Sequence, residues 1–155
     1  MKLIEMLHGY NSLCSNIQKE FPDGLLNGKP TKLQQKFLDE NSAVVFFCGA
    51  YGAGKTWALQ KKLSEYKDTD CRVLYIDSYG CNDDDYFNLD GQEFSEIFIE
   101  HAECMSKLQF CFTASMLRGT KEKHLYAIFN GEIPDYLRHE NGVKIYVASL
   151  KEFQR

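Results

Sequence analysis

The sequence predicts an α/β protein, a three-layer α/β/α sandwich on a mostly parallel sheet, in a small or truncated form. Three observations predict it. AVVFFC at 43–48 and CRVLYID at 71–77 are continuous apolar runs rich in β-branched and aromatic residues, the pattern of strands buried on both faces. Between them, residues 55–66 place Leu59, Leu63 and Tyr66 at i, i+4 and i+7, which is one face of a helix. Two further apolar runs, LYAIFN at 125–130 and VKIYVASL at 143–150, follow after a segment of helical spacing. Strand, helix and strand in alternation give parallel strands joined by crossover helices.

Residues 1–20 carry Leu3, Ile4, Leu7, Leu13 and Ile17 at near-helical spacing, interrupted by Gly9 and Asn11. Residues 21–30 (FPDGLLNGKP) read as a loop. Thr31-Lys32-Leu33-Gln34 is a capping-box pattern at a helix start, and Leu33, Phe37 and Leu38 give that helix an apolar side. The expected organisation is therefore an N-terminal helical segment, 1–42, packed on a core domain, 43–155. KDTD at 67–70 is a polar turn, and residues 78–91 form a long acidic loop. Residues 92–117 recur at three and four through Phe94, Ile97, Phe98, His101, Cys104, Met105, Leu108, Phe112 and Met116, and read as one long helix or two consecutive ones. On that stripe His101 reads as a satisfied core histidine. Residues 133–141 are a short turn or helix stopped by Gly142. Four apolar runs are few for such a sheet, so a further strand is expected in the N-terminal region unless the fold is reduced.

Composition narrows the class. A chain of 155 residues is one ordinary domain, and 44% apolar with 26% charged residues is the balance of a soluble globular protein. The formal net charge of −4 disfavours nucleic acid as main partner. The Arg118, Lys121 and Lys123 cluster reads as a solvated face. Six cysteines include no C-x-x-C pair, so a zinc ribbon is not expected, and Cys48 and Cys71 read as small buried hydrophobes. There is no apolar run of membrane-spanning length and no secretory signal pattern, and a reducing cytoplasm is the expected location. Aligning Gly91 with the glycine of an EF-hand loop puts Tyr86 and Ile97 at ligand positions, which excludes that reading of the acidic loop.

The segment with a chemical signature is Gly49-Ala50-Tyr51-Gly52-Ala53-Gly54-Lys55-Thr56, a full match to G-x-x-x-x-G-K-[ST], the Walker A pattern. Its glycines tolerate positive φ and let the backbone wrap a phosphate. Successive N–H groups form an anion nest, and the helix that follows aims its positive end at the same point. Lys55 would reach the β- and γ-phosphates and the Thr56 hydroxyl would ligate Mg²⁺. Trp57, the next residue, completes the expected nucleotide-binding set of 49–57.

On these residues the chain resembles the P-loop NTPase superfamily. VVFFCGAYGAGKTWAL followed by VLYIDSYGCNDDDYFN resembles KAP-type P-loop NTPases, in which an aromatic often falls inside the loop, here Tyr51. The resemblance implies ATP and Mg²⁺ as ligands, and an ATPase coupled to a protein partner or to self-association. It also implies an apolar strand ending in Asp, often followed by Glu, to hold the Mg²⁺ shell and orient water. Asn130, Asp77 and Glu132 are the candidates: Asn130 ends LYAIFN, Glu132 follows it, and Asp77 ends VLYID and lies beside the loop if those two strands are neighbours. Thr56, Asp77 and Asn130 are thus the expected metal residues, and Lys55, Asp77 and Glu132 the expected catalytic ones. A small-molecule kinase using Asp77 to position an acceptor, or a degenerate nucleotide-binding module, uses the same loop. Arg118 and Arg138 are the arginine-finger candidates and read as surface residues. The guanine-reading N-K-x-D pattern is absent, which favours ATP.

Overall fold

A computed structural model describes residues 28–66, 69–118, 122–138 and 142–148, and the backbone of 5–7 and 13–14. The elements in chain order are β1 (Glu5–Leu7), β2 (Leu13–Cys14), α1 (Lys32–Asp39), β3 (Val44–Gly49), α2 (Lys55–Ser64), β4 (Val73–Asp77), α3 (Asp83–Phe87), β5 (Glu96–Glu100), a 3-10 turn at Ala102–Cys104, α4 (Lys107–Ser115), β6 (His124–Asn130), α5 (Asp135–Arg138) and β7 (Val143–Ala148). They form one sheet in the order β2-β1-β4-β5-β6-β3-β7. Every neighbouring pair is parallel except β1 with β2 at one edge.

Successive side chains of a strand leave opposite faces, and both faces here are covered. Phe46, Leu74, Ile76, Ile97, Ile99, Leu125, Ala127 and Phe129 point to the side packed by Phe110, Met116 and Leu137 of the α4 and α5 region. Val45, Phe47, Val73, Tyr75, Phe98, Tyr126 and Ile128 point to the other side, packed by Phe37, Ala58, Leu59 and Leu63 of α1 and α2. This is the expected three-layer sandwich. Phe37 anchors its helix: the ring is fully buried, with centroids 5.1 Å from Phe47 and 6.0 Å from Tyr126.

The capping box at Thr31 forms as the sequence implies. Gln34 N–H donates to Thr31 Oγ1 at 3.2 Å, and Thr31 N–H donates to Gln34 Oε1 at 2.9 Å. The Gln34 amide then donates to the Gly54 carbonyl at 3.0 Å, so the start of α1 braces the loop before α2. Lys62 of α2 reaches back to the Leu38 carbonyl at 2.6 Å, which fixes the two helices together.

The structure departs from the sequence reading at three places. Residues 96–100 are a strand rather than helix, and all five are buried. The helical spacing arises because the strand, the 3-10 turn and α4 follow one another and each contributes apolar residues. Glu96 and Glu100 tolerate burial because Glu96 meets His124 Nδ1 at 2.9 Å and Glu100 accepts the Tyr75 hydroxyl. Second, the described residues of 1–20 are strand, at 5–7 and 13–14, rather than helix, and the N-terminal region holds a further strand, one of the two alternatives the sequence left open; the rest of 1–20, residues 21–27, where a loop is expected, and residues 149–150 lie outside the described residues. Third, β3 and β4 are parallel but not neighbours, since β5 and β6 lie between them. The acidic loop contains α3, whose start is capped by Asn82 and Asp85.

Candidate functional site

The loop 49–56 leaves the buried end of β3 and turns directly into α2. Its base is fixed on both sides. Gly49 N–H donates to the Gly131 carbonyl at 3.0 Å, Gly131 N–H returns to the Gly49 carbonyl at 2.8 Å, and Ala50 N–H donates to Ala148 at 3.3 Å. Gly49, Gly52 and Gly54 have φ of 124°, 78° and 83°, the left-handed region that residues with a Cβ avoid. Ala53 N–H closes a turn onto Ala50 at 3.3 Å. The segment is therefore coiled. Among the described residues, the amides of Gly52, Gly54, Lys55 and Thr56 have no backbone acceptor.

Lys55 is buried, and its ammonium donates to the carbonyls of Gly49, at 3.2 Å, and Ala50. No carboxylate among the described residues lies within ion-pair distance of it. Burial is the larger influence on the amine and lowers its pKa, while the charge of Glu103 acts the other way. A buried cation facing open amide donors is a site short of negative charge, and an anionic ligand supplies it.

The loop opens on a cavity of about 430 Å³ lined by Tyr51, Gly52, Gly54, Lys55, Thr56, Glu100, His101 and Asn130. Strand order explains this set. β6 lies beside β3 and brings Asn130 to the loop, and β5 lies next and brings Glu100 and His101. Glu100 is only 8% exposed; one oxygen accepts the Tyr75 hydroxyl and the other has no partner among the described residues. Asn130 is held by Glu103 of the 3-10 turn. His101 takes φ 57°, ψ 43°, and its Nδ1 lies 2.9 Å from Asp77 Oδ1. It is half-buried at the cavity wall and is not the core histidine expected from its spacing.

The sequence-derived candidates divide between two places. Tyr51, Gly52, Gly54, Lys55, Thr56 and Asn130 come together around one cavity. Asp77 does not line it, because β4 is remote from β3; it reaches the cavity through His101, and the ligand atoms of Asp77, Glu100 and His101 lie within 4.8 Å of one another. Gly49, Ala50 and Glu132 line a second cavity of about 740 Å³, with Ile133, Arg138, Ile145 and Val147, and Tyr51 and Asn130 border both cavities. Glu132 is 89% exposed there and pairs with Arg138 at 3.0 Å. Ala53 is buried beneath the loop, and Trp57 is a part-buried residue of α2 near Gly28. Glu100 is the residue that sequence reasoning missed. Its signal was present in Ile97-Phe98-Ile99-Glu100, an apolar strand ending in an acid, read as part of a helix.

Solved structures of similar fold include a DNA replication initiation factor (17% identity, TM-score 0.53, 81% of this chain and 49% of that one). DnaA from Aquifex aeolicus bound to AMPPCP is another (18% identity, TM-score 0.56, 84% and 51%). A third is the replication initiator DnaA bound to AMPPCP and single-stranded DNA (19% identity, TM-score 0.52, 77% and 45%). The chain shares the fold of these solved chains, an α/β sandwich on a mostly parallel sheet. The chain spans about half the length of these solved chains. No protein-family model matches the sequence, and no curated protein does. No helix among the described residues is long and apolar enough to cross a membrane.

Proposed function

We propose that this domain binds ATP with Mg²⁺ at the loop 49–56 and hydrolyses it, passing its nucleotide state to a protein partner or a second copy. The observation that carries this reading is Lys55, a buried ammonium that among the described residues bonds only to loop carbonyls, in a loop whose Gly52, Gly54, Lys55 and Thr56 amides have no backbone acceptor there. The amides of Gly52, Gly54, Lys55 and Thr56 would bind phosphate oxygens, and Lys55 Nζ the β- and γ-phosphates. Two of the solved chains of similar fold carry AMPPCP, an ATP analogue with a methylene at the β–γ bridge. The single-stranded DNA of one neighbour is not part of this reading, because the chain has a formal net charge of −4.

The oxygen donors around the cavity fit a hard cation. Thr56 offers a hydroxyl and Glu100 a carboxylate oxygen without a partner, and these two would hold Mg²⁺. Bound there, the ion would neutralise charge on the β- and γ-phosphates. In this assignment Glu100 takes the place expected of Asp77, and Asn130 contributes hydrogen bonds rather than charge. Tyr51, 78% exposed at the loop tip, supports the finer KAP-type kinship. The kinase alternative has less support, because Asp77 is occupied by His101 and by the Tyr79 amide at 3.2 Å.

The test is phosphate release from ATP by the wild type and by Glu100→Gln, which keeps the shape and removes the charge. The expected result is Mg²⁺-dependent turnover in the wild type and a loss of at least about 100-fold in the variant. Equal turnover in both removes Glu100 from the site, and no release by the wild type overturns hydrolysis.

A further inference from the structure

We propose that β7 pairs with β7 of a second copy of this chain, antiparallel and centred on Ile145, so that two sheets join edge to edge. This pairing names a surface for self-association and stands whether or not the loop binds nucleotide. β7 ends the sheet: β3 lies on one side of it, and no described strand lies on the other.

The ladder fixes which main-chain groups are free. Ala50 N–H donates to the Ala148 carbonyl. Main-chain groups alternate sides along a strand, so those of Lys144, Tyr146 and Ala148 face β3. Those of Val143, Ile145 and Val147 face outward, and no described residue bonds to them. Such a row is a template for another strand, and sheets blunt it with prolines, bulges or charge. β7 has no proline and one charge, Lys144, and it leaves Ile145 and Val147 37% and 64% exposed.

A second copy matches this edge about a two-fold axis. Setting Ile145 against its counterpart sets Val143 against Val147 on either side. All three outward residues then sit in hydrogen-bonded pairs, each exchanging two N–H···O bonds. Their side chains share one face, where Ile145 and Val147 line the cavity of about 740 Å³. β-Branched residues therefore meet β-branched residues across the seam.

The opposite face is complementary in charge. In this register Lys144 lies across from the counterpart of Tyr146, not from a second lysine. The Tyr146 hydroxyl donates to Glu40, and hydrogen bonds from Tyr146 and Ser42 hold that carboxyl below its ordinary value. Among the described residues Glu40 has no cation within ion-pair distance. The Lys144 ammonium lies 5.7 Å from the centroid of its own Tyr146 ring. Across the seam it would meet the same ring and Glu40 of the other copy. An edge that complements itself in shape and charge fits a second copy better than an unrelated strand.

The experiment is sedimentation velocity on the full chain without nucleotide, at concentrations on the order of 1 to 200 µM. One strand pair is at the low end of specific interfaces, so a dimer with a Kd on the order of 10 µM is expected. Ile145→Pro removes an outward N–H and no bond to β3, and Val147→Lys puts an ammonium into the apolar pair. Each should weaken the dimer at least about tenfold, with circular dichroism showing that the fold is kept. Lys144→Glu should weaken it too, because it opposes Glu40. The register is read by crosslinking. Cα atoms of a hydrogen-bonded pair lie about 5.5 Å apart, within disulfide reach. With dioxygen and a copper catalyst to take the two electrons of each thiol pair, Ile145→Cys should give a covalent dimer above the wild-type background. Lys144→Cys should not, because its counterpart lies beyond about 7 Å. A wild type that is monomeric throughout overturns the pairing and leaves the ATP reading standing. So does a dimer that Ile145→Pro and Val147→Lys leave intact, which marks another interface. Crosslinking by Lys144→Cys in place of Ile145→Cys overturns the register.

Discussion

The main-chain amide of Asn130 donates to Glu103 Oε1 at 2.9 Å, and its side-chain amide lies 3.4 Å from Oε2. One carboxylate on the 3-10 turn after β5 thus holds both donors at the end of β6, the strand that adjoins the loop strand. The two strand ends that face the candidate phosphate site are tied by this contact.

Removing it has a defined cost. Hydrogen bonds to a charged group contribute about 2 kcal/mol, which for a domain of this size is a fall of about 4–8 °C in Tm. Glu103→Ala should show that fall in a thermal melt, together with weaker ATP turnover because Asn130 is released. An unchanged Tm would show that the contact contributes nothing to the fold.

Two glycines of the loop separate steric from conformational demands. A Cβ on Gly49 would lie 2.1 Å from the Ala148 carbonyl oxygen, at φ +124°, whereas one on Gly52 would meet nothing within 4 Å, at φ +78°. Gly52→Ala should therefore lose only roughly 1–2 kcal/mol, the cost of the left-handed region. Gly49→Ala must displace β7 and should lose well over twice as much, measured by urea denaturation. Equal losses would mean that β7 moves freely at this edge.

The buried Glu96–His124 pair gives a pH dependence. Glu96 and His124 are 2% and 4% exposed, and both Glu96 oxygens lie 2.9 Å from Nδ1. Burial pushes the Glu96 carboxyl above its ordinary value of 4.5, and the His124 hydrogen bond acts the other way without cancelling it. A pKa raised by folding means stability that is full below the unfolded value and is lost as pH rises through the folded one. Glu96→Gln keeps a carbonyl to accept from His124 and removes the titration. Urea midpoints at about pH 4, 5.5 and 7 should show the wild type losing ground to the variant as pH rises. A constant difference across that range would contradict the assignment.

The loop was legible because its chemistry is local: three glycines, Lys55 and Thr56 lie within eight consecutive positions, Gly49 to Thr56, between a strand and a helix. The layered fold was legible because strands buried on both faces read as unbroken apolar runs. β5 was not. Its acids are hydrogen-bonded to His124 and Tyr75, which lie 28 and 25 residues away in sequence, and no local pattern reveals such partners. The strand order was equally hidden, since β3 pairs with β6 and β7 rather than with the next strand in sequence. Glu100 and the Asp77–His101 pair depend on both, which is why the sequence offered Asp77 and Asn130 for the role that Glu100 fills in the proposed site.

The account depends most on Lys55 and the amides around it, and calorimetric titration with ATP–Mg²⁺ tests that directly. The wild type should bind saturably, and Lys55→Ala should weaken binding at least about tenfold, about 1.4 kcal/mol. Indistinguishable affinities for the two proteins, or no binding by the wild type, would contradict a phosphate site at this loop.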